Sequence, residues 1–272
     1  MIADLLALGA AAAFGASDFS GGLAARRLAA PVVVVASQVI GVPIGIALAF
    51  LIGGSSSGSS LIAGGIAGVA GGIGLVALYH GLAQGRMAVV APVSAVVGTG
   101  VPVVYGVLGG ERPDVSAWAG IVLALVAIVF ISASGSVRGS GLRDAVIAGL
   151  GFAGFFIALS DTSVDDGLWP LIPARLASMA LIGVFVVARR VAARPERGAL
   201  APVVAAGIGD MIANALYLGA VQRGLLTSAV VLSSLYPAFT VLLGRFVAHE
   251  TVTPRQWLGL GLALCAVVLL AW

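Results

Sequence analysis

Of 272 residues, 60% are hydrophobic and 9% charged, whereas a soluble domain carries about a quarter charged residues to cover its surface. The expected class is therefore an all-α integral membrane protein. The net charge of +3 is spread over short loops, so nucleic acid is not an expected partner, and the single cysteine, Cys265, allows neither a disulfide framework nor a metal cluster.

The apolar stretches recur at lengths of about 20 residues, enough for a helix to cross a hydrocarbon core of about 30 Å, and they lack the alternation of barrel strands. Ten spans are predicted, at 2–23, 31–52, 61–83, 88–109, 115–134, 144–162, 168–188, 199–221, 226–247 and 255–272. The first is read as a retained span, because Met1-Ile2-Ala3-Asp4 lacks a cationic leader. It carries Asp18. The connection Gly53 to Ser60 is a Gly/Ser run and is expected to be flexible. In the third span Gly64, Gly68 and Gly72 are spaced by four, a face that lets a neighbouring helix approach closely, and Tyr79 and His80 stand near its end. The fourth span holds Ser94 and Gly98, with Pro92 and Pro102. Glu111 follows at its mouth, and Trp118 opens the fifth at the interface. Arg175 lies inside the seventh span behind Trp169-Pro170 and Pro173. In the eighth, Asp210, Asn214 and Tyr217 fall at i, i+4 and i+7 on one helix face. The ninth carries Ser233, Pro237 and Thr240, and ends at Glu250 before the Trp257 that opens the tenth.

A block recurs. Ala77-Leu78-Tyr79-His80-Gly81-Leu82-Ala83-Gln84 returns as Ala215-Leu216-Tyr217-Leu218-Gly219-Ala220-Val221-Gln222, and the segment opening at Trp118 returns at Trp257. The chain reads as two repeats, 1–136 and 141–272, of five spans each. An odd span number forces the second repeat to cross in the opposite sense, so ten transmembrane helices in two inverted five-helix repeats are expected, with a site near the midplane between them. The fifth and tenth spans hold almost no polar side chains and are expected at the periphery, against lipid or a second protomer, so the chain is a monomer or a homodimer through these spans. Apart from Arg112 and Arg223, every arginine outside the spans falls in an odd-numbered loop. The positive-inside rule then places both termini outside.

Glu250-Thr251-Val252-Thr253-Pro254-Arg255-Gln256-Trp257-Leu258-Gly259, its weaker copy from Glu111-Arg112-Pro113 to Trp118-Ala119-Gly120, and the Ala-Leu-Tyr of the third and eighth spans carry a resemblance. In these the chain resembles the EamA family of the drug/metabolite transporter superfamily over its whole length. The resemblance implies a multi-pass secondary transporter of the inner (plasma) membrane that exports small metabolites, such as amino acids or related compounds, by alternating access, with no cofactor. Many members have cytoplasmic termini and basic residues after the second span, whereas that loop is uncharged here.

An ionisable group inside a span costs a few kcal/mol on insertion scales and is a functional candidate by default. Asp18, His80, Arg175 and Asp210 qualify, and the substrate site is expected among Asp18, Tyr79, His80, Arg175, Asp210, Asn214, Tyr217 and Ser233. The stripe Asp210, Asn214, Tyr217 should face a cavity lined by spans 1 to 4 and 6 to 9; the alternative is polar glue between helices. Arg175 is either a counter-ion for a substrate carboxylate or an internal partner of Asp210 or Asp18. A carrier could use both by trading one pair for the other: Arg175 and Asp210 would interact in the empty carrier, a substrate carboxylate would compete with Asp210 for Arg175, and the released Asp210 could take up a proton, making protons the coupling ion. Asp18 is a proton site or a snorkelling end, His80 a ligand or a helix-end packing residue, and Glu111 and Glu250 are read as solvated ends at helix N-termini. Two rivals remain: a lipid-linked sugar flippase of the same superfamily, and an intramembrane aspartyl protease. The latter rests on Gly207-Ile208-Gly209-Asp210 with Asp18 as partner.

Overall fold

The computed structural model describes residues 1–55, 57–83, 87–132, 141–192, 197–247 and 252–271, and among these it is helical with no strand. The helices are α1 (Ile2–Ala25), α2 (Ala30–Ile52), α3 (Gly58–Ala83), α4 (Met87–Leu108), α5 (Val115–Ser132), α6 (Gly141–Ser160), α7 (Leu171–Ala188), α8 (Leu200–Val221), α9 (Leu226–Ser233), α10 (Tyr236–Val247) and α11 (Pro254–Ala271). Six of them, α1 to α3 and α6 to α8, together with the α9–α10 stretch Leu226–Val247, are long and apolar enough to cross a bilayer; α4, α5 and α11 contribute shorter apolar helices. The chain is thus a multi-pass membrane protein.

Helix boundaries follow local chemistry. The predicted ninth span is broken at Ser234-Leu235 into α9 and α10, because Pro237 lacks an N–H and its ring crowds the carbonyl four residues back. Asp114 caps α5, accepting from the Ala117 amide at 2.7 Å and from Ser116 Oγ at 2.8 Å. These bonds hold its carboxyl below the ordinary range. Glu111 does not end in solvent as expected. Its carboxylate accepts from the Leu226 and Thr227 amides at 2.7 and 3.0 Å, supplying the cap that Leu225 lacks for α9. Glu250 lies outside the described residues.

The helices pair across the chain more than along it. α1 packs most extensively on α8, α3 on α6, and α5 on α11, while α7 lies against α3 and α2. The glycine face of α3 works as its spacing predicts. A methyl group added at Gly64, Gly68 or Gly72 would overlap Pro170 O, Ala174 O or Ser178 Oγ, so the stripe carries α7 at backbone distance.

Gly53 to Ser60 is a correction to the sequence reading. Its described residues are docked on the α6–α7 connection. Ser55 N–H donates to Asp165 O at 2.9 Å, and the Asp166 carboxylate accepts from Ser57 N (3.0 Å), Ser60 Oγ (2.6 Å) and Ser163 N (2.8 Å). Gly54 and Gly167 meet there with φ of 102° and 55°, leaving no room for a Cβ at either. Burial pushes the Asp166 carboxyl up, but the bonds from Ser60, Ser57 and Ser163 outweigh it and hold it below the ordinary carboxylate range. A group depressed in the folded state contributes stability above its unfolded value, about 3.9, and loses it as pH falls through the folded one. Amide exchange at Ser57, followed by mass spectrometry, should therefore accelerate by about tenfold in Asp166→Ala and in the native chain only under acid conditions. An unchanged Ser57 amide in Asp166→Ala would show that the carboxylate does not hold the loop.

Candidate functional site

A cavity of about 60 Å³, room for a handful of waters, lies among α1, α2, α3, α6, α7, α8 and α10. Its polar wall is built by Asp18 of α1, Gln38 of α2, Arg175 and Ser178 of α7, and Asp210 and Asn214 of α8. Phe152, Phe155 and Phe156 of α6, at i, i+3 and i+4 and so on one face, line the cavity as well. Phe14 and Tyr236 complete an aromatic surround. The expected contribution of the fourth span is absent among the described residues.

The centre of the polar wall is an ion pair. Arg175 Nη1 donates to Asp210 Oδ2, and Nη2 donates to the Asp210 carbonyl at 3.3 Å. Asn214 Nδ2 donates to Asp210 Oδ1 at 3.0 Å and to the same carbonyl at 2.6 Å. The i, i+4 step along α8 stacks amide on carboxylate, and α7, drawn in by the glycines of α3, brings the guanidinium alongside. Both charges are under a tenth exposed, and each lowers the desolvation cost of the other. Arg175 is the internal partner of Asp210 in this arrangement. Beside it, Gln38 Nε2 donates to Ser178 Oγ at 2.8 Å, linking α2 to α7 and leaving Gln38 Oε1 without a donor among the described residues. Asp18, 8% exposed, lines the cavity with no donor reaching its carboxylate among the described residues.

Four expected site residues lie elsewhere. Tyr217, the last member of the stripe, is buried behind the cavity wall, donating to Phe156 O at 3.2 Å with its ring 4.5 Å from that of Phe156. Seven residues on from Asp210 it keeps that face but lies about 10 Å further along the helix axis, where its ring meets Phe156. Tyr79 is fully buried, its ring edge against Gly21 of α1. Ser233 donates to Ala7 O at 3.3 Å and ties α9 to α1. His80, with its side chain 57% exposed, meets Asp144 Oδ2 at 3.0 Å through Nδ1, on the surface and away from the cavity. Conversely, Gln38, Ser178, Phe14, Tyr236 and the α6 phenylalanines line the site without having been singled out. Gln38 was detectable as the one amide in the second span, and the phenylalanines by their spacing.

Three comparisons bear on this arrangement. The model of the EamA-like transporter family matches residues 145–272. No curated protein matches the chain in sequence. The fold is shared with another protein of known crystal structure at a TM-score of 0.80 and 19% identity, over 99% of this chain and 98% of that one.

Proposed function

Because residues 145–272 match the model of the EamA-like transporter family, within the drug/metabolite transporter superfamily, we infer that the chain is a secondary carrier exporting small metabolites, such as amino acids or related compounds, across the cytoplasmic membrane by alternating access. The observation that carries this reading is the Arg175–Asp210–Asn214 cluster in a cavity at the middle of α8. Intramembrane charges are costly and mark substrate or ion pathways. Asp18, Arg175, Asp210 and Asn214 form the binding wall, joined by Gln38 and Ser178, while Tyr79, Tyr217, Ser233 and His80 hold helices in place.

Supporting an inverted repeat, the most extensive helix pairings map onto one another when each half is exchanged for the other. The partnership of α1 with α8 becomes that of α6 with α3, and α5 with α11 maps onto itself. The close approach of Gly68 to the Ala174 carbonyl has its counterpart in Gly207 against the Ser37 carbonyl, joining α8 to α2. Two such halves can rock about a shared site. The protease reading loses ground on the same geometry. A dyad needs two carboxyls sharing a proton, whereas the Asp210 carboxylate is held by Arg175 and Asn214.

A carrier exchanges solute, and a pore does not. In proteoliposomes of the purified chain, unlabelled amino acid trapped inside should accelerate uptake of the labelled compound well above passive leak, and Asp210→Leu should abolish the acceleration. Equal uptake with and without trapped solute, across amino acids, sugars and amines, would refute a carrier. The orientation inferred from arginine predicts that a C-terminal reporter active only in the cytoplasm stays dark; a bright reporter would place both termini inside.

A further inference from the structure

We propose that the cavity selects for a protonated amine on an apolar body, with Asp18 as its counter-ion and with no requirement for a carboxylate. This rests on the carrier reading above and names the substrate class of that same site. Three charged side chains line the cavity, Asp18, Asp210 and Arg175, so with all three ionised it carries one net negative charge. Arg175 is already taken, since its guanidinium donates to both the carboxylate and the main-chain oxygen of Asp210. A ligand carboxylate would have to break that pair and sit near two acidic side chains. Asp18 is in the opposite condition, a buried carboxylate lining the cavity with no donor in reach among the described residues. The uncompensated carboxylate is the costly element, and a cation placed beside it relieves that cost. An ammonium brings three donors, and the Gln38 side chain on the same wall holds a buried Oε1 without a donor among the described residues.

The apolar requirement follows from the remaining lining. Phe14 lies one helical turn before Asp18, on the same face of α1, and Tyr236, Phe152, Phe155 and Phe156 complete the surround. Ring faces attract a cation and accept an apolar body at once. On α3, Gly68, Gly71 and Gly72 line the cavity without a side chain.

Three ligands that share one skeleton separate the possibilities: phenethylamine, phenylalanine and 3-phenylpropionate. On the purified full chain near neutral pH, phenethylamine at about 10 mM should raise the apparent melting temperature by several degrees. Phenylalanine should raise it less, and 3-phenylpropionate not at all. Asp18→Asn, which keeps the shape and removes the charge, should weaken phenethylamine binding by about thirtyfold or more, as expected when one partner of a buried charge pair is removed. The proposal is overturned if either carboxylate-bearing ligand stabilises the native chain more than phenethylamine does, or if phenethylamine fails to stabilise it. It is overturned equally if a folded Asp18→Asn chain retains the full response; should that variant not fold, the ranking of the three ligands on the native chain decides. Counterflow separates this from the carrier reading. Amino acid exchange without an amine response sinks the amine site alone, and amine binding without exchange of any solute sinks the carrier alone.

Discussion

Arg175→Met is expected to cost about 3–5 kcal/mol of stability, the range found when one partner of a buried ion pair is removed and the other is left uncompensated. Arg175 and Asp210 are 7% and 8% exposed, so the lone charge is left far less hydrated than it would be in bulk water. Asn214 supplies a single amide to Oδ1 and the main-chain oxygen, which is too little to solvate a full charge. The double variant Arg175→Met with Asp210→Leu removes both charges and should recover most of the loss, because an apolar pair of similar volume is often neutral or better than the ion pair it replaces. Transport should be absent in both. Denaturation of the two variants beside the native chain tests this. A double variant as unstable as the single one would mean that the cost arises from packing, and that the ion pair does not hold α7 against α8.

Gly68→Leu is the second large effect. A Cβ at Gly68 would overlap the carbonyl oxygen and Cα of Ala174, and backbone atoms cannot rotate aside as a side chain can. Overpacking of this kind costs about 1–3 kcal/mol where side chains can adjust, so the upper end of that range or beyond is expected here. The displaced helix is α7, which carries Arg175 and Ser178, and binding should fall with stability. Gly65 provides the contrast on the same helix, since a Cβ there meets nothing within 4 Å. Gly65→Ala should be neutral or stabilise by up to about 1 kcal/mol, the ordinary helix preference for alanine. Equal losses in the two variants would show that helix propensity, and not the α3–α7 approach, governs the region.

The two carboxylate clasps at the helix ends, Glu111 on α9 and Asp166 on the α2–α3 connection, illustrate what sequence spacing leaves out. Each joins segments more than a hundred residues apart. A carboxylate near the end of a span looks the same in sequence whether it faces water or caps another helix. The run Gly53 to Ser60 reads as flexible for the same reason: its composition permits many conformations, and only the partner at Asp165 and Asp166 selects one.

Span positions were determined by the sequence alone, within a few residues. Expected 31–52 is Ala30–Ile52 and expected 199–221 is Leu200–Val221, because the length of an apolar run is dictated by what it must bury. So were the α3 glycine face and the candidacy of Asp18, Arg175 and Asp210, since charge inside an apolar run stands out without any model of packing. The tertiary structure decided how each helix is turned about its own axis. Tyr79, Tyr217 and Ser233 proved to face neighbouring helices, His80 the surface, and Gln38, Ser178, Tyr236 and the phenylalanines of α6 the cavity. In water a helix reports its buried face through the contrast between apolar and polar sides. In a bilayer the side toward lipid and the side toward protein are both apolar, that contrast vanishes, and the facing of each residue is set by which helix packs against it.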